Sequence, residues 1–240
     1  MKNSDYSSKL TIAAGQNIKE RDYWLNQLSG FTGKSTFPYD RSAAGSEIEI
    51  LKFKLSPGLF SKIVSLSKGS DYRIHMIMVT GIVLLLHKYT YPCSEDITVG
   101  IPTYKQDVEG ELINTVLAIR NQVNPDKTFK ELLLQVSRVI FQANEHQNYP
   151  IDTLLYKLNM QKSENDFPLF DIAILLDTIH DRNYLRDIRP NMVFIFCKTA
   201  EYIEGTLEYN ALLYHKSTSE RITSHLENLL QNALNDINCP

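Results

Sequence analysis

The chain has 240 residues, with 25 Lys and Arg against 28 Asp and Glu, a net charge of -3 and a pI near 6.1. That balance excludes the basic excess by which a protein holds nucleic acid or an anionic membrane surface. Hydrophobic residues at 43%, charged residues at 22% and three scattered cysteines without a CxxC pair (Cys93, Cys197, Cys239) describe a globular chain of one large or two small domains in a reducing compartment.

Residues 1–16 are polar and weakly patterned and read as a flexible tail. They lack the apolar core of a secretory signal, so a cytoplasmic protein is expected. Residues 17–28 predict a helix with Ile18, Tyr23, Trp24, Leu25 and Leu28 near one face, closed by Gly30. A loop with Gly33, Pro38 and Gly45 follows. Residues 47–55 predict a strand. Ile48 and Ile50 share one phase and Leu51, Phe53 and Leu55 the other, which predicts a bulge near Leu51. Ser56-Pro57 opens a helix with Leu59, Ile63, Val64 and Leu66 along its apolar stripe.

Residues 71–103 are the centre of the chain. From Ile74 to Leu86 only His75, Thr80 and Gly81 interrupt an apolar run. As a helix it rises about 20 Å, short of the roughly 20 apolar residues a bilayer core needs. It is read as a buried core helix, ended by Pro92 in a turn at 91–94. A strand at 96–101 follows, stopped by Pro102. A helix and a strand apolar on all sides belong in the middle of a layered α/β domain.

Residues 104–110 form a polar loop, and 111–123 end as a strand. Thr128 and Glu131 predict a capping box for a helix over 128–146, and Pro150 starts a short helix at 151–158. Strands are expected at 172–177, 192–197 and 204–213. The charged stretch 178–189 between the first two is read as irregular surface, His180 and Asp181 included. Ser217 and Glu220 predict a second capping box, for a terminal helix with Ile222, Leu226, Leu229, Leu230, Ala233 and Leu234 as its stripe.

A series of segments, in order, carries a resemblance: YWLNQLSG at 23–30, FPYDR at 37–41, LLLHKYT and EDITVGIP at 84–90 and 95–102, ELINTVLAIRNQV at 111–123, EHQNYPID at 145–152, FPLFD at 167–171 and EGTLEYNALL at 204–213. Together they resemble the second half of the condensation domains of nonribosomal peptide synthetases. The resemblance implies an α/β fold, a single chloramphenicol-acetyltransferase-like half with a mixed β-sheet packed with α-helices. It divides the chain into a tail at 1–16, an inter-subdomain-type helix and linker at 17–45, and a C-terminal subdomain at 46–240. The chain departs from the family pattern at Glu111, where a glycine is usual, at Thr115, where an asparagine is usual, and at Pro190, Asn191 and Met192.

The family's catalytic motif, HHxxxDG, supplies an imidazole that assists attack of an aminoacyl amine on a carrier-bound thioester. Here the six histidines (His75, His87, His146, His180, His215, His225) stand apart, and none begins an HxxxDG. His146, at a helix end beside a proline, is read as structural. Dinucleotide, phosphate-loop, serine-hydrolase and zinc-protease motifs are absent too. No catalytic, cofactor-binding or metal residue is therefore assigned. The resemblance implies either of two functions. One is a non-catalytic scaffold beside a downstream adenylation domain in an antibiotic-type synthetase. The other is the acceptor-side half of an active enzyme whose catalytic half lies upstream or on another chain. The implied partners are that adenylation domain, a peptidyl carrier protein with its phosphopantetheine, and a missing N-terminal subdomain or a second copy of the chain, with neither nucleic acid nor membrane. A half-domain predicts self-association, or a partner-facing surface rewritten with polar residues.

Overall fold

The computed structural model describes residues 15, 17–91, 94–106, 113–163 and 167–238. The expectations for the tail at 1–16 (Gly15 aside), for Pro92, Cys93 and Cys239, and for the loop core at 107–112 lie outside the described residues.

In chain order the elements are α1 (Ile18–Gln27), β1 (Ile48–Lys54), α2 (Pro57–Ser67), α3 (Asp71–Thr90), β2 (Asp96–Pro102), β3 (Val116–Gln122), α4 (Phe129–Glu145), α5 (Ile151–Lys157), β4 (Ile172–Leu176), a 3-10 turn (Arg182–Leu185), β5 (Met192–Lys198), β6 (Ile203–Asn210) and α6 (Lys216–Ala233). The strands form one mixed sheet in the order β1-β6-β5-β4-β2-β3. β2–β4 and β4–β5 run parallel, and the other pairs run antiparallel. The α/β half with a mixed sheet and packed helices is therefore present as expected.

The apolar run does become the core helix. α3 is buried nearly all round, from Ile74 through His87, and packs on α2, α4, α6, β2 and β4. Each of its fully buried Ile, Leu, Val or Met side chains contributes about 1.5–3 kcal/mol by leaving water. Gly81 lets α6 approach closely, since a Cβ there would meet Leu230 Cδ2 at 2.7 Å. β2 is buried from Ile97 to Pro102. A parallel pair needs a crossover, and 177–191 supplies the one between β4 and β5. It carries Leu185 and Ile188, both buried, beneath the sheet.

Four local expectations change. β1 has no bulge: its seven residues pair with β6 in unbroken register. Its phase switch arises because the strand is at the sheet edge, where Ile48 and Ile50 face solvent. α6 begins at Lys216 without a Ser217–Glu220 box; the Asp40 carboxylate accepts from the His215 N–H at 2.8 Å and the Thr218 hydroxyl at 2.9 Å instead. At α2 the Ser56 side chain makes no cap, and its N–H donates to Glu227 Oε1. Pro150 sits one residue before α5 rather than inside it. The Thr128–Glu131 box on α4 forms as expected, with both reciprocal bonds.

Candidate functional site

The histidines are the sequence's candidates for a base working near neutral pH, and the fold brings two of them together. His75 on α3 and His180 after β4 are 0% and 1% exposed, with ring centroids 4.4 Å apart. The reading of His180 as surface is overturned: Ile179, Leu185 and Ile188 turn inward and draw the segment under the sheet. The Leu176 N–H donates to His180 Nδ1 at 3.1 Å, which assigns that ring's proton to Nε2. His75 Nε2 lies 3.3 Å from Ile174 O and donates to it, which leaves Nδ1 without a proton. One acceptor, His75 Nδ1, and one donor, His180 Nε2, are thus buried without a hydrogen-bond partner among the described residues. Tyr104 stacks on His180 and Tyr72 stands edge-on to Tyr104.

Burial pulls the pKa of His75 down to about 4. Burial, helped by the neighbouring His75, pulls His180 down to about 2. Both rings are neutral at physiological pH and sealed from any substrate dissolved in water. The other four histidines are tied to structure. His87 Nδ1 contacts Ser94 O. His146 contacts Gln142 O, stacks on Tyr23 and receives the Trp24 indole N–H on its carbonyl, the helix-end role expected of it. His215 Nδ1 accepts from Arg41 at 2.8 Å, and His225 Nδ1 lies 2.9 Å from the Tyr89 hydroxyl.

The segments that carry the resemblance build two clasps around the 17–45 stretch. Asp171, 1% exposed, accepts from Lys34 Nζ at 3.0 Å, Tyr39 OH at 3.2 Å and Asn191 Nδ2 at 2.7 Å. The Asn191 side-chain oxygen Oδ1 in turn accepts from Asn210 Nδ2. Above this network lies a cavity of about 690 Å³, walled by residues 39–45 and Leu213. Arg120 forms the second clasp. Its guanidinium grips both Asp96 oxygens and reaches the carbonyls of Gln27, Ser29 and Gly30.

Cys197 is the one cysteine among the described residues. The Asp177 side chain beside Cys197, with burial, pushes that thiol up to about 11, far from the thiolate a nucleophile needs. Among the described residues no three His, Cys, Asp or Glu side chains converge on a metal-sized point. No single described helix is long and apolar enough to cross a membrane. Sequence reasoning missed the His75–His180 pair and the Lys34–Asp171 bond. A histidine inside an apolar run was the one available signal for the first, and nothing local signals the second, whose partners are 137 residues apart.

Comparison with known proteins gives the family and the fold. The family described as "Condensation domain" matches residues 3–240, and the chain belongs to it. Bacitracin synthase 3 of Bacillus licheniformis is 29% identical over 97% of this chain. Tyrocidine synthase 3 of Brevibacillus parabrevis is 28% identical over 89% of it. The chain spans only 4% of the length of each of those two proteins. Among solved structures, the X-domain from teicoplanin biosynthesis superposes with a TM-score of 0.77 at 18% identity, covering 92% of this chain and 55% of that one. A four-domain nonribosomal peptide synthetase bound to AMP and glycine superposes at 0.75 and 16% identity, covering 91% and 19%. At these identities the structural likeness shows the fold: a condensation domain's architecture over about half its length.

Proposed function

We propose that this condensation-domain chain is the C-terminal subdomain of a nonribosomal peptide synthetase condensation domain and works as a non-catalytic scaffold beside an adenylation domain. Residues 46–240 form the subdomain and 17–45 its entry linker. The observation that carries this reading is the state of the histidines: two are neutral and sealed in the core, and the other four each have Nδ1 in a contact with the fold, His87 among them at the wall of a cavity of about 690 Å³. A base for amine attack must reach the proton it removes. The clasps at Asp171 and Arg120 hold the linker rigidly on the sheet, as a spacer between neighbouring domains requires. The carrier's phosphopantetheine enters such a system as part of the substrate, not as a group held by this chain.

The second reading, the acceptor-side half of an active enzyme, is favoured by one observation. The chain covers about half of the solved domains it superposes on, 55% for the X-domain. A complementary half then supplies the base. Two measurements separate the readings. Amide formation between two aminoacyl-carrier thioesters, with this chain added, is expected to equal the uncatalysed rate; acceleration by the chain alone overturns both readings. The mass and N-terminal sequence of the native polypeptide then decide between them. An HHxxxDG-bearing half in the same polypeptide sinks the scaffold.

A further inference from the structure

The two edges of the sheet are finished differently. Along β3, Arg120 binds the carbonyls of Gln27, Ser29 and Gly30, and the Gln27 amide donates back to Arg120 O, so a segment of chain lies over that edge. Along β1 no described segment does so. The Leu55 N–H donates to Ile203 O and the Ala211 N–H donates to Glu47 O, so the odd-numbered residues of β1 bond β6. The N–H and C=O groups of Ile48, Ile50, Lys52 and Lys54 therefore point away from the sheet. Their side chains also share one face, with Ile48 and Ile50 51% and 62% exposed. Proteins usually blunt an open edge with a bulge, a proline or spaced charges. This edge runs in regular register and is apolar over its first half.

Next to Ile48 a groove of about 530 Å³ crosses the same face, floored by Val193 and rimmed by Arg182, Arg186 and Arg189. Glu208 holds Arg182, and Arg186 is exposed. Among the described residues, Glu208 is the groove's single acidic group. Asp187, next to Arg186 in sequence, lies outside its lining. Lys52 and Lys54 follow along the strand, Lys54 resting over the Tyr202 ring and paired with Glu204 of β6.

We propose that the β1 edge docks an extended acidic segment of a partner protein, which joins the sheet by strand addition. Its apolar side chains would cover Ile48 and Ile50, and its carboxylates would meet Lys52 and Lys54. Charge argues against a second copy as occupant: two copies meeting at β1 bring the same lysines and arginines to one seam. The proposal is independent of whether this half is catalytic.

The test uses the full chain and a fluorescent nine-residue peptide whose alternate residues run Val, Val, Glu, Glu, with Thr between. Binding is expected below roughly 1 mM. Replacing Glu by Lys in the peptide, or N-methylating its alternate amides, is expected to weaken it at least about tenfold. Lys52→Glu with Lys54→Glu, both on the exposed side, is expected to transfer preference to the lysine peptide. No binding, or binding indifferent to N-methylation and to peptide charge, overturns the proposal. So does a peptide-free dimer that Ile50→Asp dissociates, because the occupant is then a second copy.

Discussion

The ring of Phe170 lies against the α-carbon of Gly100, in the space that any side chain at that position of β2 would need. Gly205 on β6 meets the ring of Phe53 in the same way. The surroundings differ. Phe170 is fully buried and packed on Phe167 with centroids 4.7 Å apart, while Phe53 is half-buried at the sheet edge. Gly100→Ala is therefore expected to cost about 1–3 kcal/mol through overpacking, and Gly205→Ala less, because Phe53 can swing outward. Urea unfolding of the two variants checks this. Equal midpoints would mean that the Phe170 ring yields as freely as an edge ring.

Asp171 holds the linker through Lys34, Tyr39 and Asn191. Asp171→Ala removes the buried carboxylate that Lys34, Tyr39 and Asn191 share, and is expected to cost about 3 kcal/mol. Lys34→Met removes the charge together with its need for a partner and is expected to cost clearly less. Denaturant midpoints for the two variants give the comparison, and a larger loss for Lys34→Met would refute this account of the cluster.

The buried histidines make stability depend on pH. In the unfolded chain each titrates near 6.5; folded, His75 is held down to about 4 and His180 to about 2. Between those values the unfolded state binds more protons, so stability rises with pH there. The full benefit is present above pH 6.5 and is lost as pH falls toward 4, at up to about 1.4 kcal/mol per pH unit for each ring. His75→Gln keeps a donor for Ile174 O and removes one titration. Its stability curve between pH 4 and 6.5 should be flatter than that of the parent, and parallel curves would contradict the assignment.

Arg120 fastens α1's end to β2 and β3 by a planar fork that lysine cannot copy. Arg120→Lys is expected to keep the fold, lose about 1–2 kcal/mol, and speed amide exchange at 27–35 more than in the core strands. Uniform exchange across the chain would show that the clasp does not act locally.

The core was legible because burial on every side leaves an unbroken apolar run, as in α3 and β2. Capping at α4 was legible because both partners lie within one turn. Where a partner is remote, local patterns misled. Asp40 caps α6 from 175 residues away, so the nearby Ser217 and Glu220 offered a false box. His180 stands among Asp181, Arg182 and Asp187, yet three apolar neighbours decide its depth. The phase switch in β1 suggested a bulge because periodicity records which face is apolar, not whether a sheet continues beyond it. The candidate site fared likewise. Unpaired histidines were readable as such, while the His75–His180 contact joins helix to turn through folding alone.

β1 and β6 hold one further consequence. Their paired side chains, Glu49 and Tyr209, are bonded across 160 residues, and among the described residues β1 pairs with no other strand. On a ribosome adding about 5–20 residues per second, β1 emerges roughly 10–30 s before its only mate. For that interval the nascent chain carries a half-apolar strand with both edges open, so a chaperone or the neighbouring nascent domain has time to reach it before β6 does.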